Sequence, residues 1–498
     1  MTHGLVAFLD EGGEARNFAS FILDTLPGLP GRSGANLADA SFLFLPRRVR
    51  TKPAKAWKKI LVSLGGEDGE HLGERLAQSV VAAGLFLPGQ LTVVEGPLSG
   101  RREWPDGVKV IRAPHGLAGM LSRHDLLITH FGMGAFEALA VGIPAILFNP
   151  SRYHARLGAA AGFSMIGIGT VRADALKKLL ADPVRLQGHV DQFNEKVGSE
   201  RGKKLARVLG SLSVVGSKDC PVCGRTGNVV IARFSDRTYR RCATCGTISL
   251  ESFAGSRKKY DTAYFSTEYK AQYGRTYVDD FESIKAASRP RVAIIRRLLG
   301  RTSEGVVLDV GCAYGPFLAA LADSGMHGFG LDVSPGAVSY VRKALRVPAI
   351  CAGFEEVERN KLPRHIAALT LWYVLEHFPH TDGVLGKATA LLPEGGVFAF
   401  STPNGCGISA RRHLQGFLLN SPGDHFTIFS PRKLGKILAR YGLKLQRVRV
   451  TGHHPERFPG LLGRAAGRWG AAAVALRTVS VLLRLGDTFE AYAVKGQV

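Results

Sequence analysis

Val306-Val-Leu-Asp-Val-Gly-Cys-Ala-Tyr-Gly-Pro-Phe-Leu is the stretch on which the reading of this chain turns. Val306 to Val310 predicts a strand, Gly311 and Gly315 a tight turn, and the residues from Pro316 a helix. Glycines in such a turn let the main chain come close to a ligand. A glycine pair alone is a weak signal, and the next strand strengthens it. Gly328-Phe-Gly-Leu-Asp-Val-Ser puts Asp332 near its end, 21 residues after Gly311. A carboxylate there can accept both ribose hydroxyls of an adenosine cofactor. The spacing by itself also fits a nicotinamide cofactor.

Leu308-Asp-Val-Gly-Cys-Ala-Tyr-Gly resembles the first motif of class I S-adenosylmethionine (SAM)-dependent methyltransferases. Asp309 precedes the turn, and Ala313 stands where that family often has a middle glycine. Leu371-Trp-Tyr-Val-Leu-Glu-His-Phe-Pro looks like the family's segment after the fourth strand. Leu391-Leu-Pro-Glu-Gly-Gly-Val-Phe-Ala-Phe-Ser-Thr-Pro-Asn looks like the turn and fifth strand. Gly423-Asp-His-Phe-Thr-Ile-Phe-Ser-Pro is similar to a later segment on the substrate side, and Asp487-Thr-Phe-Glu-Ala-Tyr-Ala-Val-Lys to the last strand. The resemblance covers about 295–498. It implies a Rossmann-like domain holding SAM through Asp309, Gly311, Gly315 and Asp332.

Base-amine methylation would call for Asn/Asp-Pro-Pro-aromatic after the fourth strand, and Trp372-Tyr-Val-Leu-Glu-His stands there instead. No Pro-Cys nucleophile for pyrimidine carbon is found. The acceptor is then a hydroxyl, amine or activated carbon of a small molecule. Methyl transfer to oxygen needs alignment and usually a base. Glu376, His377 and His425 are the catalytic candidates. Against that role stand a helix cap for Glu376 and simple packing for His377.

Cys220-Pro-Val-Cys-Gly and Cys242-Ala-Thr-Cys-Gly give C-x2-C-x18-C-x2-C. Two-residue spacing turns both sulfurs of a pair toward one tetrahedral ion, so Cys220, Cys223, Cys242 and Cys245 predict a closed, structural zinc site. Redox-active pairs are the alternative. The other three cysteines are isolated, as reduced thiols would be. A four-cysteine knuckle, then Tyr260-Asp-Thr-Ala-Tyr-Phe, then a methyltransferase core is similar to sugar-modifying methyltransferases. Zinc-ribbon ribosomal RNA methyltransferases share that plan, which keeps rRNA or tRNA as the alternative acceptor.

Residues 1–212 alternate strands and helices. Lys58-Lys-Ile-Leu-Val-Ser-Leu-Gly-Gly, Gln90-Leu-Thr-Val-Val-Glu, Asp125-Leu-Leu-Ile-Thr-His and Pro144-Ala-Ile-Leu-Phe-Asn read as strands, with a helix over Ala135 to Val141. In Thr129-His-Phe-Gly-Met-Gly-Ala-Phe-Glu, glycines precede a helix whose first amides can hold a diphosphate, and Glu137 can reach ribose hydroxyls. This looks like the nucleotide-sugar-binding, C-terminal half of GT-B glycosyltransferases and of related nucleotide-sugar hydrolases, implying a site at Gly132, Gly134 and Glu137. His154 departs from the Asn-Gln usual in the segment Asn149 to Gly162. Fewer than 60 residues precede Lys58, and Val6-Ala-Phe-Leu-Asp-Glu-Gly-Gly looks like the tail of the missing GT-B half. A separate chain supplying that half is one expected partner, and a ligand-free scaffold is the alternative.

The expected fold class is therefore α/β, with two Rossmann-like doubly wound domains joined by a small zinc-ribbon module: 1–212, 218–250 and 251–498. A chain of 498 residues is too long for one core. The net charge of +24, from 65 Lys and Arg against 41 Asp and Glu, is spread along the chain. That favours a solvated basic surface over dedicated nucleic-acid binding. No run of eighteen uncharged apolar residues occurs, and the first residues lack a signal peptide's basic region, so a cytoplasmic protein is expected. Trp469 to Leu485 is apolar and helical, with Arg464 and Arg468 before it and Arg477 and Arg484 within it. A packed terminal helix is expected there, with peripheral membrane contact as the alternative. The combined reading is a SAM-dependent methyltransferase acting on the oxygen or carbon of a sugar or nucleotide sugar in glycan synthesis. A binding or assembly protein that recruits a partner through residues 1–212 is the reading from another class.

Overall fold

The computed structural model describes residues 6–9, 15–26, 28, 34–68, 70–99, 102–112, 116–197, 203–254, 274, 276–300, 305–468 and 470–496. Two compact units divide the chain, Leu5–Leu212 and a second from Ser213 to Val498.

The first unit opens with three short parallel strands, β1 (Val6–Leu9), β2 (Phe21–Asp24) and β3 (Leu37–Ala38). Its main sheet follows: β4 (Ile60–Ser63), β5 (Leu91–Glu95), β6 (Lys109–Arg112), β7 (Leu126–Thr129), β8 (Ala145–Asn149), β9 (Ser164–Ile168) and β10 (Thr170–Val171). Their order is β10-β9-β8-β7-β4-β5-β6, parallel except for the β9–β10 pair. This is a doubly wound arrangement whose order reverses between β4 and β7. Strands β4, β7 and β8 are buried along their whole length because both faces are covered. Alternation sorts their side chains: Leu61, Leu127 and Leu147 enter one core, while Ile60, Ile128 and Phe148 enter the other.

In the second unit, β11 (Val229–Phe234), β12 (Arg237–Arg241) and β13 (Ile248–Ser252) form an antiparallel ribbon around the four cysteines. The main sheet comprises β14 (Val306–Val310), β15 (Gly328–Asp332), β16 (Ala349–Cys351), β17 (Ile366–Trp372), β18 (Val397–Pro403), β20 (Leu443–Thr451) and β21 (Thr488–Lys495). The two-residue strand β19 (Thr427–Ile428) leaves that sheet and pairs with β13. The main sheet runs β16-β15-β14-β17-β18-β21-β20, with β21 antiparallel to both neighbours. Leu308, Leu369 and Phe398 fill one face, and Val307, Ala368 and Val397 the other.

Two expectations change. The cysteine module is not a joint between two domains. Its cysteines share a core with Phe398, Leu434 and Ile437, and its sheet takes a strand from the larger domain. The C-terminal apolar stretch forms helix Gly470–Leu482, after a helix over Gly460–Arg468; Leu476 and Leu485 pack with Ile408 and Phe458, but much of the apolar surface of the two helices is uncovered. Leu461 and Leu482 are 80% and 75% exposed. Val6–Leu9, in the segment expected as the tail of the missing half, is the first strand of the small parallel sheet. Tyr260 to Phe265 and Trp469 lie outside the described residues.

Candidate active site

At the C-terminal edge of the second unit's sheet, β14 ends in the glycine turn. Gly311 has φ +70°, and a Cβ there would meet Val374 Cγ2 at 2.4 Å. Gly315 has φ +79°, and a Cβ would meet Leu345 Cδ1 at 2.7 Å. Both positions therefore require glycine. The first clash also shows that the turn after β14 lies directly against the turn after β17. Sheet order reverses beside β14, so the crevice at these strand ends is where doubly wound sheets bind ligands.

Asp332, at the end of β15, accepts from the backbone N–H of Ala313 on one oxygen and of Ser334 on the other, each at 2.8 Å. Burial raises its pKa, against the pull of those amides. Each oxygen keeps a second lone pair for a ligand hydroxyl. Asp309 is almost fully buried and accepts from the Thr370 hydroxyl at 2.6 Å across the β14–β17 register. Burial pushes its carboxyl up to about 7, with Thr370 and the Arg291 charge opposing and Asp332 adding. Ala313 sits at φ +47°, so its side chain occupies a region that favours glycine.

Beyond β17 the chain turns at Tyr373, φ +59°, and a 3-10 turn spans Leu375–His377. Glu376 is fully buried, and neither carboxylate oxygen finds a hydrogen-bond partner. Burial pushes it up to about 7, and the neighbouring His377 charge opposes this. The Thr402 hydroxyl is near enough to favour the carboxylate but completes no hydrogen bond. His377 Nδ1 lies 3.2 Å from Asp424 Oδ2. The rings of His377 and His425 stand edge to face with centroids 4.7 Å apart. The Phe426 amide donates to the Glu376 carbonyl at 2.7 Å, tying the later segment to this turn. All three catalytic candidates thus come together, and Glu376 does not cap a helix. Sequence reasoning missed Asp424, although it adjoins His425. It also missed Arg291, whose guanidinium stacks on Trp372 at 4.4 Å and pairs with buried Glu490 at 2.9 Å.

Ribbon and turn are continuous. Ile248 pairs with Ile428, and the Leu250 amide donates to the Phe426 carbonyl at 3.0 Å. The cysteine ribbon therefore braces the segment that carries Asp424 and His425. Within it, Cys220 and Cys245 sulfurs lie 3.5 Å apart, as do those of Cys223 and Cys242. Four sulfurs at about 2.3 Å from one tetrahedral ion are about 3.8 Å apart, so the four thiols fit that geometry with little movement.

In the first unit, Gly132 precedes helix Met133–Val141, Gly134 lies in its first turn and Glu137 follows, half-buried, its pKa raised by burial. Asn149 at the end of β8 accepts from the Phe131 amide at 2.9 Å. His154 accepts or donates to Ser151 Oγ at 2.8 Å and meets His130 edge-on at 6.1 Å. Gly132, Gly134 and Glu137 follow β7, whose turn lies against the turn after β4 at the reversal point, where a Cβ on Gly65 would meet His130 Nε2 at 2.7 Å.

Residues 285–448 match the family model of a methyltransferase domain. Among relatives, the chain is similar to the ubiquinone biosynthesis O-methyltransferase of Methylococcus capsulatus, 26% identical over 165 residues, or 30% of this chain and 67% of that protein. The protein of the same name from Nitrosomonas europaea is 27% identical over 129 residues, 25% of this chain and 55% of that protein. The chain thus spans between about half and two thirds of these relatives. A solved SAM-dependent methyltransferase from Archaeoglobus fulgidus superposes with a TM-score of 0.33 and 15% identity, covering 46% of this chain and 98% of that one.

Proposed function

We propose that this chain, a SAM-dependent methyltransferase by the domain in residues 285–448, methylates a hydroxyl of a sugar or nucleotide sugar during glycan synthesis. The observation that carries the reading is the direct contact between the two turns: Gly311 beside Asp332 on the cofactor side, and Glu376, His377 and His425 on the acceptor side. Asp332 holds the ribose, and the glycine turn receives the rest of SAM. The acceptor oxygen attacks the methyl carbon, the S–CH3 electron pair stays on sulfur as S-adenosylhomocysteine, and the hydroxyl proton leaves. Two imidazoles and a buried carboxylate are the groups that favour the deprotonated oxygen. Zinc in the four-cysteine site would stiffen the ribbon behind His425 and would have no part in the transfer. Relatives named O-methyltransferases support oxygen over carbon as the acceptor.

The sugar rests on the four-cysteine plan and on the first unit, whose Gly132, Gly134 and Glu137 sit where a diphosphate and ribose would be held. A partner chain completing that unit belongs to the same proposal. A second reading, an acceptor carried on a lipid, is favoured by the exposed Leu461, Leu462, Val474 and Leu482 beside Arg464, Arg477 and Arg484. Its setting would be a cytoplasmic membrane face. The test is transfer of labelled methyl from SAM to UDP- and dTDP-sugars, phenolic lipids and ribosomal RNA. Label in a sugar, lost at least 100-fold in His377→Ala, supports the proposal. Label in RNA alone contradicts it.

A further inference from the structure

We propose that residues 44–59 dock the first unit on an anionic phospholipid surface. The segment lies outside residues 285–448, so the inference stands apart from the methyl-transfer reading. Between Asp39 and Glu67 the chain has seven cations and no acidic residue. Two of the seven turn inward, Arg48 to Asp191 and Arg50 to Asp125. The other five, Arg47, Lys52, Lys55, Lys58 and Lys59, are exposed, and none makes an ion pair among the described residues. Like charges in such number make a free chain repel itself and stay mobile. This segment is held in place instead.

Hydrogen bonds pin it at three points. The Val49 and Arg50 amides donate to the Val141 carbonyl at 3.0 and 2.9 Å. Trp57 Nε1 donates to the Leu180 carbonyl at 2.9 Å. The Lys58 and Lys59 amides donate to Asp125 Oδ2 at 3.0 and 2.9 Å, where β4 begins. Cations on a fixed main chain lose less freedom on binding than cations on a loose one. Lys109, exposed at the first residue of β6, and Arg123, exposed just before β7, extend the charge along the same N-terminal edge of the main sheet. The glycine turns after β4 and β7 lie at the opposite edge, so docking leaves them clear.

Charge alone suits any polyanion, and Phe44 and Val49 choose among them. They are 81% and 68% exposed, on either side of Arg47 in the chain. A nucleic-acid base could stack on Phe44, but Val49 offers it no ring face. Both side chains suit the boundary between lipid headgroups and acyl chains, with the lysines reaching back to the phosphates. Four of the five exposed cations are lysine, a mobile point charge that matches a fluid array of headgroups better than a fixed bidentate partner. The net charge of +24 adds an attraction of the same sign.

Co-sedimentation of the full chain with phosphatidylcholine vesicles, without and with about 30% phosphatidylglycerol, tests this. Binding is expected only with phosphatidylglycerol, and it should weaken as salt is raised. The second unit has exposed apolar residues of its own, so the variants are confined to the segment. The triple variant Lys52→Glu, Lys55→Glu, Lys58→Glu should bind at least about tenfold more weakly, and the double variant Phe44→Ser, Val49→Ser several-fold more weakly. Circular dichroism should show both folded, because every substituted side chain is exposed. No binding of the parent to the anionic vesicles, or equal binding by the parent and the triple variant, overturns the inference. So does full binding by the double variant together with displacement of the parent from the vesicles by single-stranded oligouridine, which would assign the segment to nucleic acid.

Discussion

Asp309 shows how one residue carries both the fold and its pH response. Its carboxyl is buried beside a second buried carboxyl, Asp332, and its one hydrogen bond comes from Thr370. With its pKa raised to about 7, the folded state holds a proton there that the unfolded chain releases near pH 4. Its contribution to stability is therefore complete at low pH and declines as pH rises from about 4 to 7, by about 4 kcal/mol at most. Asn in its place can still accept from Thr370 and does not titrate. We predict that Asp309→Asn flattens the fall in Tm between pH 5 and pH 8 and melts higher than the parent at pH 8. Parallel Tm profiles for the two proteins would show that Asp309 is not the titrating group.

Among the elements, the ribbon and β19 are the pair with consequences for catalysis. Only two residue pairs, Ile248 with Ile428 and Ser249 with Thr427, join them, yet they sit beside Asp424 and His425. Among the described residues, β14, β15 and β17, which shape the cofactor turn, pair with one another and not with the strands of the ribbon. Loosening the four-cysteine knuckle should thus leave cofactor binding within about twofold while lowering kcat at least tenfold. Cys242→Ser, or zinc removal with a chelator, compared by calorimetry and single-turnover methyl transfer, gives the measurement. An unchanged kcat after complete metal loss would mean that the ribbon does not hold His425 in place.

Across the whole molecule, many strands could be read from sequence because each is an apolar run: β4, β5, β7 and β8 in one unit, β14, β15, β17, β18 and β21 in the other. Strand β6, Lys109–Arg112, escaped because charged ends leave only Val110 and Ile111 as signal. Strand β9 is interrupted by Gly167, and two-residue β10 and β19 have no periodicity to read. The candidate cofactor residues Asp309, Gly311, Gly315 and Asp332 meet in one crevice because local spacing around β14 and β15 fixes them. Asp424 was not legible, since its pairing with His377 depends on how a loop from beyond β18 folds back, which no local pattern records. The same holds for Arg291, on a helix before the first strand of the sheet, and for its long-range partner Glu490. Exposure of Leu461 and Leu482 was likewise hidden, because apolar composition in a helix predicts burial and does not say against what.

The central claim is that SAM binds across the strand ends of the second unit with Asp332 as its ribose ligand. Calorimetric titration of the full chain and of Asp332→Ala with S-adenosylhomocysteine tests it most directly. The account predicts one site per chain, weakened at least 100-fold in the variant, with both proteins folded by circular dichroism. Equal affinity in the two proteins, or no binding by the unmodified chain, would contradict it.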